Sequence, residues 1–340
     1  MNKNSQQDVP EAEHVPLNVD WNDIRIFNAA ARSSSFRKAS ASTGMSVNSI
    51  RRRIEALEQQ LGSPLFLRDA TGINLTSEGA ELLKASAKMV EASYDISRVV
   101  RSRSKEHLGT VKIGVTEGLG TFWLVPRLVE FQSRHPAISL DLKCTMTPAD
   151  TRTLEADVAV QLDRPEGNHS IVMRIGYLHL QLFASHEYIR QYGEPDSLAD
   201  LVNFKFVEQV SPQVSSDLMT KMIPNIPADF VSVRTNTSSA HAYAISKGAG
   251  IGVLPTYARA VTKRVVPVLR DIHLTREIYI TYPREFKSQP SVSAAIDWLK
   301  QSFDPDMYPW FGERFVSPDQ FEQRFRSGNV IHLFEGFQDE

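Results

Sequence analysis

Apolar positions along the chain change their spacing three times, and each change marks a different kind of structure. From Asp23 onward Ile24, Phe27 and Ala31 fall at helical spacing, and Ser33, Ser34 and Ser35 then interrupt the run with cap-forming hydroxyls. Phe36 to Ser42 predicts a short second helix, and Thr43-Gly44 a tight turn, because glycine takes φ > 0 without steric cost. Ser46 is placed to cap a third helix, in which Ile50, Ile54, Leu57 and Leu61 recur at steps of four, three and four and so share one buried stripe. After Gly62, the segments Pro64 to Arg68 and Ile73 to Leu75 predict two short strands around Ala70-Thr71-Gly72.

A different pattern begins at Thr76, the expected cap of a long helix with Glu78 in its positively polarised first turn. There Leu82, Ala85, Met89, Ala92, Ile96 and Val99 alternate steps of three and four, the seam of a helix that pairs with another helix. A helix packed on its own chain's core would carry a similar stripe. The run Arg98, Arg101, Arg103 and Lys105, with Ser102, Ser104 and Gly109, reads as a basic helix end and hinge.

From Thr110 the period changes again. Val111 to Val115 predicts a buried strand, Thr116 to Gly120 a loop, Leu124 to His135 an amphipathic helix stopped by Pro136, and Ile138 to Leu142 another strand. Strand, helix, strand in that order implies a parallel α/β sheet. Further strands are expected at Asp157 to Gln161, Tyr177 to Ala184, Phe204 to Gln209, Val231 to Arg234 and Ile251 to Leu254, with a helix from Thr237 to Lys247. Beyond Phe303 the chain is acidic yet holds Tyr308, Trp310, Phe311, Phe315, Phe321, Phe325, Phe334 and Phe337. That is too aromatic for a plain disordered tail, and it is expected to pack on a lobe or on a neighbouring subunit.

Charge sharpens the reading of the first segment. The chain carries a formal charge of −2, but between Ile24 and Arg68 Arg25, Arg32, Arg37, Lys38, Arg51, Arg52, Arg53 and Arg68 face only Glu55 and Glu58. One end is therefore basic, as phosphate binding requires. At 100° per residue Asn48 and Arg52 project from the third helix opposite its buried stripe, with Arg51 at the edge. Arg pairs bidentately with guanine and Asn with adenine, so Asn48 and Arg52 are the expected base readers of a winged helix-turn-helix. Ser35, Arg37, Ser46, Arg51 and Arg68 extend the candidate DNA-binding set, with Arg68 on a phosphate. Two-fold pairing through the seam would present two such helices to a pseudo-palindromic double-stranded site.

The run FNAAARSSSFRKASASTGMSVNSIRRRIEALEQQLGSPLFLRDATGINLTSEG resembles the N-terminus of LysR-type transcriptional regulators. Matching features are Ser35-Phe36, Ala39, Ser46, Ile54, Leu57-Glu58, Leu61-Gly62, Leu65-Phe66, Arg68, Leu75-Thr76 and Gly79. Val47 and Arg51 depart from it, standing where the family usually has Gln and a small residue; both positions face DNA in the family, so an unusual operator preference is implied. A thymine methyl is the suggested partner of Val47. The body, notably around Gly114, Pro126, His135-Pro136, Gly250 and Pro255, resembles more loosely that family's effector-binding region, which has the fold of periplasmic binding proteins.

The resemblance implies an α/β protein: a helical winged helix-turn-helix (20–75) after a disordered leader (1–19), and a dimerisation helix and hinge (76–108). A two-lobed effector domain (109–303) and an acidic aromatic extension (304–340) follow. Lobe I is expected at 109–177 and 278–303 and lobe II at 178–277, with crossings near Tyr177 and Ile278. Cleft residues are expected where strands end and helix N-termini offer free N–H groups: Thr116, Gln161, Thr235 and Thr237. Glu117 stands beside them, a carboxylate that repels anionic ligands unless paired or protonated.

These readings predict a cytoplasmic, ligand-responsive regulator of transcription, a homodimer or homotetramer binding double-stranded DNA and a small-molecule effector. The alternative is a constitutive DNA binder whose body is a ligand-free scaffold. No uninterrupted apolar run approaches the ~18 residues of a membrane span. No catalytic residue, cofactor or metal is expected: the Gly114-x-x-x-Gly118-x-Gly120 and Gly248-x-Gly250-x-Gly252 runs lack dinucleotide or P-loop spacing. His135, His179, His241 and His273 are dispersed, and the lone Cys144 reads as a small buried strand residue.

Overall fold

The structure, a computed structural model, describes residues 19–69, 72–103, 109–151, 155–165, 170–214 and 226–321. Residues 1–18 of the expected leader, the wing tip Ala70-Thr71, the hinge residues 104–108 and Phe325, Phe334 and Phe337 lie outside the described residues, as do the side chains of Arg68, Arg98, Val99, Arg101 and Arg103. The chain divides between Ser93 and Tyr94 into two compact units.

In the first unit α1 (Trp21–Ser33), α2 (Phe36–Thr43) and α3 (Val47–Leu61) are followed by the hairpin β1 (Phe66–Asp69) and β2 (Gly72–Leu75). The first helix starts two residues before the expected Asp23, because the Asp20 carboxylate accepts the Asn22 N–H at 2.8 Å and caps it there. Gly44 and Gly62 end α2 and α3 at φ 70° and 71°, the left-handed geometry that makes glycine the usual helix stop. Ile24, Phe27, Ile50, Ile54 and Leu57 meet in one core with Leu65 and Ile73. The Glu58 carboxylate accepts the Leu65 and Phe66 N–H groups at 2.7 and 3.2 Å, tying the hairpin to α3.

The long helix α4 runs over Ser77–Arg103. Thr76 caps it, accepting the Gly79 N–H at 2.9 Å. Leu82 and Leu83 pack on the first unit's core, and buried Asn28 donates to Ser86 at 2.9 Å. Leu82 therefore belongs partly to its own chain's core, whereas Ala85, Met89, Ala92 and Ile96 are exposed, Met89 at 46% and Ile96 at 68%.

The second unit begins with β3 (Thr110–Thr116), which passes directly into one irregular helical segment: α5 (Glu117–Leu119), a π turn (Gly120–Leu124), a 3-10 turn (Val125–Arg127) and α6 (Leu128–Arg134). The expected loop at Thr116 to Gly120 is thus a helix start. Its glycines serve close approach rather than flexibility: a Cβ at Gly120 would lie 2.4 Å from the Cys144 sulfur, and one at Gly118 2.9 Å from the Ser238 Cβ. Cys144 is itself only half-buried. Pro126 has no N–H to donate, and the π and 3-10 turns absorb that break before α6.

Then follow β4 (Ser139–Thr145), β5 (Val158–Gln161), β6 (Ser170–Ser185), α7 (His186–Tyr192), β7 (Phe206–Gln209), β8 (Val231–Thr235), α8 (Ser238–Ser246), β9 (Gly252–Pro255), α9 (Ala258–Val261), β10 (Val265–Pro283) and α10 (Pro290–Ser302). The main sheet has the order β4-β3-β5-β10-β6-β9, with β3 parallel to both neighbours, and β7 pairs β8 separately. The long antiparallel pair β6 and β10, in register at Gly176↔Ile278, threads both lobes. Lobe I holds a large apolar core, in which Ile113 and Val115 of β3 meet Trp123 and Phe131, and a small cluster of Ala149, Ala156 and Ala159. Lobe II holds two smaller ones, one around Leu182 and Phe206 and the other around Phe183 and Ile245.

The chain after α10 packs on this unit as far as it is described. Tyr308, Trp310, Phe311 and Phe321 are buried in the lobe I core, and the Trp123 indole donates to the Ser302 carbonyl at 2.8 Å. The segment then crosses the long strand pair. The Gly312 carbonyl meets His179 at 2.8 Å, Phe315 stacks on His273 at 4.1 Å, and Asp319 accepts from Arg270 at 2.9 Å. No helix among the described residues is long and apolar enough to cross a membrane.

Candidate DNA interface and ligand cleft

Two sites follow from these elements, and each is built from local sequence first. On α3, the Ser46 hydroxyl oxygen accepts the Ser49 N–H at 3.2 Å, and on α2 the Ser35 oxygen accepts the Lys38 N–H at 3.4 Å. Both serines thus serve as caps. Asn48, Arg51, Arg52 and Glu55 are exposed on α3, and Arg37 and Lys38 on α2. Val47, expected to face a base, is half-buried and packs against the module core, because it lies one turn before buried Ile50.

The three successive arginines separate by direction. Arg53 turns inward and pairs with Asp23 at 2.7 Å and Asp20 at 3.7 Å. The guanidinium of Arg51 lies 5.9 Å from the centre of the Phe36 ring, an attraction of modest strength at an exposed site. Arg52 extends from the exposed side with Asn48 one turn before it. The basic, solvent-facing surface is therefore centred on Asn48 and Arg52, flanked by Arg37 and Lys38.

In the body, β3 ends beside the N-terminus of α8. Thr237 caps that helix, accepting the Ala240 N–H at 3.4 Å, and the Thr235 oxygen accepts the Thr237 N–H at 3.3 Å. Gln161, at the end of the neighbouring β5, is buried and donates to the Asp163 carbonyl at 2.8 Å. These three expected cleft residues are thus engaged in local turns and caps.

The polar ends of the cleft are filled from across it. Glu117, just after β3, accepts the Ser239 N–H at the start of α8 at 3.0 Å, a favourable place for a carboxylate because the first turn of a helix carries unpaired donors. In the opposite direction Gln213, 2% exposed, accepts from the Thr116 hydroxyl at 2.9 Å and from the Leu162 N–H at 3.4 Å. Glu117 is therefore a partnered carboxylate, a helix cap supplied by the other lobe. Buried Tyr257 donates to the Gly118 carbonyl at 3.2 Å, and its own phenol is pushed well above the ordinary range by burial and by nearby Glu117.

A cavity of about 730 Å³ remains alongside this closed contact, bounded by α5, α8, β9 and α9. Of the five residues expected to form the effector site, Thr116 lines it; Glu117, Gln161, Thr235 and Thr237 do not. Its walls are mainly apolar, with Leu119, Phe122, Leu162, Val253, Leu254 and Val261 among them. Sequence reasoning missed Gln209, Gln213, Ser238 and Ser239, and only the Thr-Ser-Ser run at the helix start hinted at the last two. No group of three or more His, Cys, Asp or Glu side chains among the described residues is placed to hold a metal ion.

A capped helix-turn-helix with a β-wing, joined by a long helix to a two-lobed α/β body with an interlobe cleft, defines a two-domain regulator architecture of the binding-protein type. The sequence profile of the bacterial regulatory helix-turn-helix protein, lysR family, matches residues 21–80, and that of the LysR substrate binding domain residues 104–304. The chain belongs to the LysR family. It is 30% identical over 176 residues to an HTH-type transcriptional regulator of Xanthomonas campestris, covering 52% of this chain and 51% of that one. It is 23% identical over 291 residues to the HTH-type transcriptional activator AaeR of Escherichia coli, covering 82% and 93%. The match thus spans about half the length of the first of these relatives. Among solved structures, the full-length Vibrio cholerae virulence activator AphB shares the fold with a TM-score of 0.50 at 21% identity, covering 83% of this chain and 98% of that chain. A full-length OxyR variant from Pseudomonas aeruginosa gives 0.52 at 15%, covering 85% and 95%.

Proposed function

We propose that this protein is a homo-oligomeric transcription regulator that reads a pseudo-palindromic DNA site with α3 and responds to a small molecule bound between its lobes. The observation that carries the reading is the face of α3: Asn48, Arg51 and Arg52 stand exposed in the N-terminal half of a helix whose opposite side buries Ile50, Ile54 and Leu57. Such a helix presents amide and guanidinium groups to base edges in the major groove, while cations around it hold phosphates. Sequencing the DNA that the purified full-length chain selects from a genomic pool tests this directly. Asn48→Ala and Arg52→Ala are expected to lose discrimination between selected and random DNA, at ~1–3 kcal/mol per lost base contact. Unchanged affinity of both variants for the selected site would assign the reading surface elsewhere.

Pairing of two chains is supported by the exposed apolar stripe of α4. Ala85, Met89, Ala92 and Ile96 lie at seam spacing on the side away from Leu83 and Ser86, and a solvated stripe of that length is a helix face awaiting a partner. The double variant Met89→Asp, Ile96→Asp is expected to sediment as a monomer while keeping its helical content. Leu82 is a poor probe, since its loss also opens the core of its own module. Surviving oligomers in that variant would move the interface away from α4. For the body to regulate DNA binding, its ligand must prefer one arrangement of the subunits over another. Titration of an effector into the complex with selected DNA is expected to change its affinity or footprint.

A further inference from the structure

We infer that the cleft takes an amphipathic acid, with an apolar body lying along α8 and its carboxylate at the rim beside Lys247 and Arg264, rather than a small anion held at the strand ends. The inference rests on the reading of this cleft as an effector site and adds the class of ligand.

Three observations meet here. First, both polar ends of the cleft are occupied by the protein itself. The Glu117 carboxylate sits on the Ser239 N–H, where an anion would otherwise dock, and the Gln213 amide oxygen takes the Thr116 hydroxyl and the Leu162 N–H. A free carboxylate or sulfate at either place must displace a partner already in contact, and beside Glu117 it meets a like charge.

Second, the remaining cavity of about 730 Å³ is walled largely by aliphatic and aromatic side chains. It extends from Ser238 and Ser239 at the start of α8 to Lys247 just past its end. A nine-residue helix is about 13 Å long, and an extended chain of about ten carbons spans the same distance.

Third, the charge on the lining is one-sided. Lys247 and Arg264 are its charged members, and no carboxylate among the described residues lines it. Lys247 is exposed and Arg264 half-buried, whereas Thr116 and Leu119 at the other end are buried, so the cations mark the open rim and the apolar wall the interior. An apolar body going inward leaves its head group at the two cations, where a carboxylate gains charge-assisted hydrogen bonds and an ammonium is repelled.

Isothermal titration of the full-length protein with decanoate, decanol and decylamine below their micellar concentrations, and with acetate and sulfate, tests this. Decanoate is expected to bind at least tenfold more tightly than decylamine, with decanol between them and no competition from acetate or sulfate. In Lys247→Glu, Arg264→Glu, both changes lying on the rim, the preference is expected to invert. A groove-filling Ala258→Trp, checked for an unchanged melting temperature, is expected to remove binding of all three ten-carbon probes. Equal affinity for acid and amine, competition by acetate, or absence of decanoate binding overturns the inference. Decanoate that binds as expected but leaves the DNA complex unaltered supports it and instead counts against the regulatory reading.

Discussion

Trp310→Ala is expected to destabilise the body by about 3–5 kcal/mol, the range for removing a large aromatic side chain from a packed core. Trp310 is 2% exposed and its ring lies 5.6 Å from Trp123 edge-on, 5.8 Å from Tyr308 and 5.0 Å from Phe321. Trp123 is the hub of this cluster, meeting Tyr308 at 4.9 Å and Phe311 at 5.0 Å as well. It also belongs to the π turn that follows α5 beside the cleft. Buried Arg127 closes the group: its guanidinium lies 4.5 Å from the Tyr308 ring centre, donates to the Tyr308 hydroxyl and pairs with Glu130 at 2.9 Å. A cavity at Trp310 removes packing from Trp123, Tyr308 and Phe321 at once, so little relaxation is available. For a body of this size the loss corresponds to roughly 10 °C in melting temperature. Scanning calorimetry of the full-length chain measures it, with the helix-turn-helix transition as an internal reference. A loss below about 1 kcal/mol would mean that the segment after α10 is an appendage rather than part of the core.

How much of this is legible in the sequence depends on how far apart the cooperating residues lie. The helix-turn-helix is readable almost residue by residue, because its determinants act within one or two turns: the Ser46 cap, the left-handed Gly44 and Gly62, and the Ile50-Ile54-Leu57 stripe. Even there, direction matters more than type. The three arginines are alike in type, yet successive residues point 100° apart, and Arg53 turns to Asp20 and Asp23, acids already visible at the start of the first helix.

The elements that flank the cleft are legible in the sequence; its lining and its chemistry are not. Strand ends and the α8 start follow from local patterns, but their partners are 97 residues away for Thr116 and Gln213 and 122 for Glu117 and Ser239. No local pattern announces such a pair. A hydroxyl at a strand end and a carboxylate at the next position are ambiguous until the opposite lobe supplies its donor or acceptor. The same holds for Gly118 and Gly120, which read as a loop in one dimension and as contact points with Ser238 and Cys144 in three. The aromatic excess after Phe303 is a compositional signal, enough to say that the segment is packed. That it crosses the β6–β10 pair and reaches Arg270, beside the bulge where the β10 register shifts between Val268 and His273 and Leu269 takes φ 48°, no compositional signal announces.

Acidification from pH 6.5 to 4 is expected to weaken the body by about 3 kcal/mol through His241 alone, since its pKa falls from 6.5 to about 4 on burial. The imidazole is 1% exposed; its Nδ1 meets the Gln209 amide oxygen at 3.1 Å, which assigns the proton to that nitrogen, and Gln209 in turn donates to Ser238 at 2.9 Å. Nε2 is buried with no hydrogen-bond partner among the described residues, so a second proton has nowhere to bond. The sign follows from which state binds protons. Below pH 6.5 the unfolded chain protonates this histidine and the folded one does not, so stability is complete above 6.5 and is lost as the pH falls to about 4. His179 acts in the same direction: burial lowers its pKa, only partly opposed by the Gly312 carbonyl, with neighbouring His273 lowering it further. Denaturant titrations of the full-length chain across this range should show about one fewer proton taken up on unfolding in His241→Gln than in the parent. Stability that rises on acidification would place a charged imidazole at Gln209 instead. Because Gln209 and Ser238 also line the cavity, the same protonation is expected to weaken occupancy of the cleft before the body unfolds. Between about pH 7.5 and 5.5, an interval that brackets the ordinary histidine pKa, the folded His241 stays neutral, so decanoate binding is expected to be unchanged there, and a loss within that interval would point to another group.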